Sequence, residues 1–155
     1  MRLPRLTLLP LLSLALPLLF AAAPANAGDK IWSAVLVAKN VSNPEPPAAE
    51  LKPVAKRLER VFGYNQFEIV GKATGDLDDD SKVSLTPTKT FWMNLQARRS
   101  SSPDARGGYL LNLQLYQDQR ILVDTVTLIA PRSPLFFRGP MCAKGQVILV
   151  LQVMP

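Results

Sequence analysis

Asp76, Asp78 and Asp80 alternate in the segment Asp76-Leu77-Asp78-Asp79-Asp80-Ser81. That is the spacing of the first, third and fifth ligands of a calcium loop, and carboxylate oxygens suit a hard cation. The pattern then departs from such a loop. Its sixth position, where a glycine makes the turn, is Ser81, and its twelfth, where a bidentate glutamate belongs, is Pro87. No helical pattern flanks it. The expectation is therefore a solvated acidic turn between two strands. Asp76, Asp78 and Asp80 stand as the candidate metal ligands, and no metal or cofactor is expected.

Other reactive side chains are few. The chain contains no histidine, which excludes a Ser-His-Asp triad, a Cys-His pair and histidine metal sites. Cys142 is the only cysteine, so an internal disulfide is excluded, and a lone thiol of this kind is expected to be buried. Asp124 lies in an apolar strand pattern and is expected on its solvent side, because an unpaired buried carboxylate is costly. Glu68 poses the same question, and neither aligns with a second carboxylate as a glycosidase pair would. No glycine pattern of the phosphate-cradling kind occurs. Arg98, Arg99 and Arg106 gather around a polar loop at 98–108, which reads as a mobile hairpin tip. The chain is expected to be non-enzymatic.

A different constellation points to recognition. Phe136 and Phe137 are adjacent between Pro131, Pro134 and Pro140. In a strand, neighbouring side chains point to opposite faces. Both rings are covered only if both faces of that sheet are covered; otherwise one stands exposed beside Arg138 and Met141. Aromatic, Arg and Met side chains are enriched at interfaces, so Phe136, Phe137, Arg138 and Met141 are the candidate partner-binding residues.

The elements that must position these groups are mostly strands. Ile31 to Ala38 is apolar on both faces, with Trp32, Ala34, Leu36 and Ala38 on one side and Ile31, Ser33, Val35 and Val37 on the other; an inner strand covered twice has this pattern. Residues 50–62 read as one amphipathic helix. Leu51, Val54, Ala55, Leu58, Val61 and Phe62 form its apolar stripe, Pro53 falls in the first turn, and Gly63 ends it. Further strands are expected at 66–73, 83–85, 90–97, 109–116, 120–129, 135–138 and 146–153. Phe91, Met93, Leu95 and Ala97 share one face, as do Leu111, Leu113 and Leu115. Gln117-Asp118-Gln119 joins a hairpin. The pattern predicts a mainly β or α+β fold: an antiparallel sandwich or rolled sheet of seven or eight strands, with one helix after the first strand. The strands are too short and the aromatics too sparse for a membrane β-barrel.

Residues 1–27 carry a basic start at Arg2 and Arg5, an apolar run from Leu6 to Phe20, and Ala25-Asn26-Ala27, the order of a cleaved secretory signal peptide. Residues 28–155 are then expected to be a single β-rich domain, periplasmic or secreted, with no transmembrane segment after cleavage. The net charge of +6 falls to +4 without Arg2 and Arg5. The remaining basic residues are scattered, unlike those of a nucleic-acid binder, so no nucleic-acid partner is expected.

Phe62-Gly63-Tyr64 leading into a strand, with Gly139-Pro140 and Gly145 before the last one, resembles small exported bacterial proteins of no assigned activity. Its motifs are turn glycines and core aromatics, and because that group has no established activity the resemblance implies none here. The functional expectation is an interaction or structural module of the bacterial cell envelope whose partner is an envelope protein. The alternative is a small-ligand-binding β domain with Trp32, Trp92 and Tyr109 lining a cavity.

Overall fold

Eight consecutive residues, Ile31 to Ala38, are buried, and the strand that carries them, β1 (Asp29–Lys39), organises the molecule. The computed structural model describes residues 28–154; the signal-peptide reading of residues 1–27 lies outside them. Among the described residues are eight strands: β1, β2 (Gln66–Leu77), β3 (Ser81–Leu85), β4 (Phe91–Arg99), β5 (Tyr109–Gln117), β6 (Arg120–Ile129), β7 (Leu135–Cys142) and β8 (Gly145–Met154). They form two four-stranded sheets, in the orders β2-β1-β8-β7 and β3-β4-β5-β6, and all pairings are antiparallel. The fold class is therefore the mainly β, antiparallel architecture expected, with the helical segment after the first strand.

The two-faced apolar pattern of β1 has the cause assigned to it. Ile31 and Val35 face the second sheet, in a core with Val147, Leu149, Leu151 and Val153 of β8 and Met93, Leu95, Leu111 and Leu113 opposite. Trp32, Ala34, Leu36 and Ala38 face the other way, into a second cluster with Leu51, Val54 and Leu58 of the helical segment. That segment is a 3-10 turn, Ala49–Leu51, followed by α1, Ala55–Phe62. The single helix expected over 50–62 is thus divided. Pro53 has no N–H to donate, so the hydrogen-bond ladder is interrupted there even though Lys52 before it keeps a helical conformation at φ −48°, ψ −43°; the regular helix begins only at Ala55. Gly63 ends it at φ 75°, donating its N–H to Glu59 O at 2.8 Å. Val61, expected on the apolar stripe, is exposed instead.

Two strands run further than their sequence patterns predict. β2 continues four residues beyond the expected Ala73, to Leu77, which confines the acidic turn to Asp78, Asp79 and Asp80. β7 continues past Arg138 to Cys142, through an irregularity at Gly139-Pro140. Pro140 cannot donate to the ladder, and the buried Gln146 side chain meets the loosened carbonyls, donating to Gly139 O at 2.6 Å.

Candidate functional site: the outer face of the second sheet

The helical segment covers the outer face of the first sheet. Among the described residues no element packs on the outer face of the second, and that face is polar at its centre. The strands β4 and β5 alternate strictly. Phe91, Met93, Leu95 and Ala97 point inward, as do Tyr109, Leu111, Leu113 and Leu115. The opposite side carries Trp92, Asn94 and Gln96 from β4 and Asn112, Gln114 and Tyr116 from β5. Strand pairing sets these in rows. Ser84, Asn94, Gln114 and Asp124 lie side by side across β3 to β6. The next row is Lys82, Gln96, Asn112 and Val126. Four carboxamides thus form a two-by-two grid at the centre of the face, its columns about 4.8 Å apart and its rows about 7 Å apart by strand geometry.

The grid floors a shallow depression of about 400 Å³ lined from Lys82 to Gln114. A second one, of about 200 Å³, shares Gln96 and Asn112 and reaches Asp80, Arg98, Leu110 and Val126. At the other end stand two aromatic rings: Trp92 and Tyr116, paired across the strands, are stacked at 3.9 Å with an interplanar angle of 1°. Trp92 Nε1–H donates to Asp118 O at 2.8 Å, and the Tyr116 hydroxyl donates to Gln114 Oε1 at 3.0 Å. Gln114 in turn donates to Asp124 Oδ2 at 3.1 Å. Aromatic pair and amide grid are therefore one connected surface. The side-chain amides of Asn94, Gln96 and Asn112 make no hydrogen bond with another described residue. They are exposed and available to a ligand.

The residues singled out from the sequence are distributed otherwise. Asp76 is on the outer face of the first sheet, paired with Lys30 at 2.5 Å. Asp80 borders the outer face of the second sheet, in the left-handed region at φ 55°. Between them the Asp78 carbonyl accepts from Ser81 Oγ, and Asp79 Oδ1 accepts from the Arg99 N–H at 2.8 Å. The extension of β2 puts the turn between two sheets, so the three candidate ligands do not converge. Among the described residues no group of three His, Cys, Asp or Glu side chains is placed to hold a metal ion.

Phe136 and Phe137 do point to opposite faces, and both faces are covered. Phe137 packs on the inter-sheet core and Phe136 on the helix cluster, edge-on to Phe62 at 6.0 Å. Arg57 lies over the Phe136 ring and Arg138 over the Phe62 ring. Arg138 and Met141, the latter 67% exposed, are the members of that set left outside. Cys142 is exposed, contrary to the burial expected of it; it is the last residue of β7, opposite Gly145 beyond the irregularity, where no sheet covers it. Asp124 is on the solvent face, as expected, and Glu68 is exposed. Trp32, Trp92 and Tyr109 do not share a cavity. Trp32 is under the helical segment, Tyr109 is between the sheets, and Trp92 is on the outer face of the second sheet. Strand parity separates them: Trp92 is one residue from the inward Phe91 and Met93.

One polar cluster escaped sequence reasoning altogether. The buried Tyr109 hydroxyl donates to Asp29 Oδ2 at 2.7 Å and lies 3.2 Å from Leu77 O. Arg99 Nη1 is 3.1 Å from the same Asp29 oxygen, and its guanidinium lies over the Tyr109 ring at 4.9 Å. Burial, and then the neighbouring Asp29, push the Tyr109 phenol well above its ordinary range. A phenol so held is a poor proton donor and no base at neutral pH; the cluster ties β1 and β2 to β4 and β5. Glu50 is held below the usual carboxylate range by the hydrogen bond from Lys72, which fastens the helical segment to β2.

No protein-family model, curated protein or solved structure matches the chain.

Proposed function

We propose that the protein is a non-enzymatic binding module that works outside the cytoplasm, and that its binding surface is the outer face of the second sheet. The carrying observation is the grid of Asn94, Gln96, Asn112 and Gln114 beside the Trp92–Tyr116 stack. A few convergent polar groups in a depression, next to aromatic surface, are the usual makings of a ligand site. The closely approaching titratable side chains are engaged with one another: Asp29 with Arg99 and Tyr109, Asp76 with Lys30, Glu50 with Lys72. Placement of the domain in the cell envelope rests on the signal-like pattern of residues 1–27.

The test is retention on cell-envelope fractions by co-sedimentation. Substituting Asn94→Ala together with Asn112→Ala removes two exposed amides without touching the core, so the melting temperature is expected to stay within about 2 °C, as for surface changes of a few tenths of a kcal/mol. Retention is expected to fall. Met141→Ser, on the segment from Pro131 to Lys144, is expected to leave it intact. The reverse outcome, loss with Met141→Ser and none with the amide variant, moves the surface to that segment and overturns the assignment.

A further inference from the structure

We infer that the ligand of this face is an uncharged, hydroxyl-rich chain, a neutral polysaccharide or oligosaccharide, laid across the amide grid. The inference rests on the reading of the face as the binding surface and adds the ligand's chemistry.

Three features of the face point to it. The first is hydrogen-bond type. Asn94, Gln96 and Asn112 each offer two N–H donors and an oxygen with two lone pairs, and Gln114 keeps one N–H and one lone pair beyond its bonds to Asp124 and Tyr116. A hydroxyl both donates and accepts, so neighbouring hydroxyls on one ring satisfy neighbouring amides in either sense. Columns about 4.8 Å apart and rows about 7 Å apart frame an area comparable to one pyranose ring.

Charge is the second. The face mixes signs, with Lys82 and Arg98 against Asp80 and Asp124, and its four central positions are neutral. An anionic ligand calls for clustered Arg and Lys in charge-assisted pairs, and no such cluster occupies the grid. The third is apolar surface, because sugar rings also carry apolar C–H faces. The stacked Trp92 and Tyr116 at one end, and the exposed Leu110, Val126 and Leu128 at the other, provide it on either side of the amides.

A protein partner fits the centre less well. Its interface core would be apolar and would cover Asn94, Gln96 and Asn112 without satisfying them, which is costly.

The experiment is affinity electrophoresis of the protein through gels containing dextran, yeast mannan or laminarin, with alginate as the anionic comparison. At least one neutral polysaccharide is expected to retard the protein. The retardation should be nearly unchanged between low and high salt, since no ion pair is made. The Asn94→Ala, Asn112→Ala variant should bind about tenfold more weakly, the loss of two net hydrogen bonds. Retardation by alginate alone, by none of the four, or equally strong in the variant overturns the glycan assignment. The envelope assay separates the two readings. If neutral glycans fail, yet envelope retention is lost in the variant and abolished by protease treatment of the envelope, the face stands and its partner is a protein. If retention is indifferent to the variant, both readings fall.

Discussion

The hydroxyl of Tyr109 is a polar atom inside the core, and its surroundings make it sensitive to alkali. Phenylalanine at this position is expected to destabilise the protein by about 1 to 3 kcal/mol, because Asp29 and the Leu77 carbonyl lose a buried donor. The pH dependence follows from the raised phenol. Its folded value lies above the unfolded one of about 10, so the stabilisation is complete below pH 10 and declines as the pH climbs further, where the unfolded chain ionises and the folded one resists. Urea midpoints measured from pH 8 to pH 11.5 should therefore fall more steeply for the wild type than for Tyr109→Phe. Parallel curves would show that the phenol is not held as described. The amides of Asn94, Gln96 and Asn112 behave in the opposite way: they are exposed, make no hydrogen bond with another described residue, and contribute little to stability.

Among the elements, β2 tolerates no side chain at one of its positions. A Cβ on Gly71 would come within 2.1 Å of the Pro87 carbonyl oxygen, and backbone cannot step aside as a flexible side chain does. Gly71→Ala is expected to cost about 3 kcal/mol, the upper end of ordinary overpacking; a urea-midpoint change equivalent to less than 1 kcal/mol would mean that the loop before β4 moves freely. This approach of loop to strand was not visible in the sequence, because it depends on two segments meeting in space. The strands and their inward faces were legible, since burial on one side writes an alternation into β4 and β5 that needs no partner to be recognised. The helix was legible in its stripe but not in its start, where Pro53 weighed against five apolar positions. The candidate face was hidden for a subtler reason. Asn94, Gln96, Asn112 and Gln114 look like filler between core residues until strand pairing brings them together, and pairing is decided by turns such as Asp118-Gln119. Cys142 was misplaced because its burial was expected from residue type alone, whereas Gly139-Pro140 loosens the end of β7 and leaves the thiol exposed.

At the scale of the molecule, the strands follow one another around the sandwich in chain order, and the circuit closes where β8 meets β1. Lys30 is paired with Met154, so the two ends of the domain are neighbours. A circular permutant that joins them through a short flexible linker and opens the chain between Asp118 and Gln119 is expected to keep both sheets and to melt within a few degrees of the parent. Deleting residues 145–155 should abolish cooperative melting, because β8 is a central strand with six of its ten residues buried in unbroken sequence from Gln146 to Leu151. The same closure sets a schedule. β1, with its eight consecutive buried residues, is made first, and its central partner is made last of the eight. At about 5 to 20 residues per second, roughly 5 to 20 s separate the two during synthesis. From the moment β2 is made, β1 has β2 on one side and an unpaired row of N–H and C=O groups on the other, the kind of edge that recruits stray strands. The sandwich therefore cannot close until β8 has been made, and a nascent copy depends on being kept extended, or shielded, until that strand arrives.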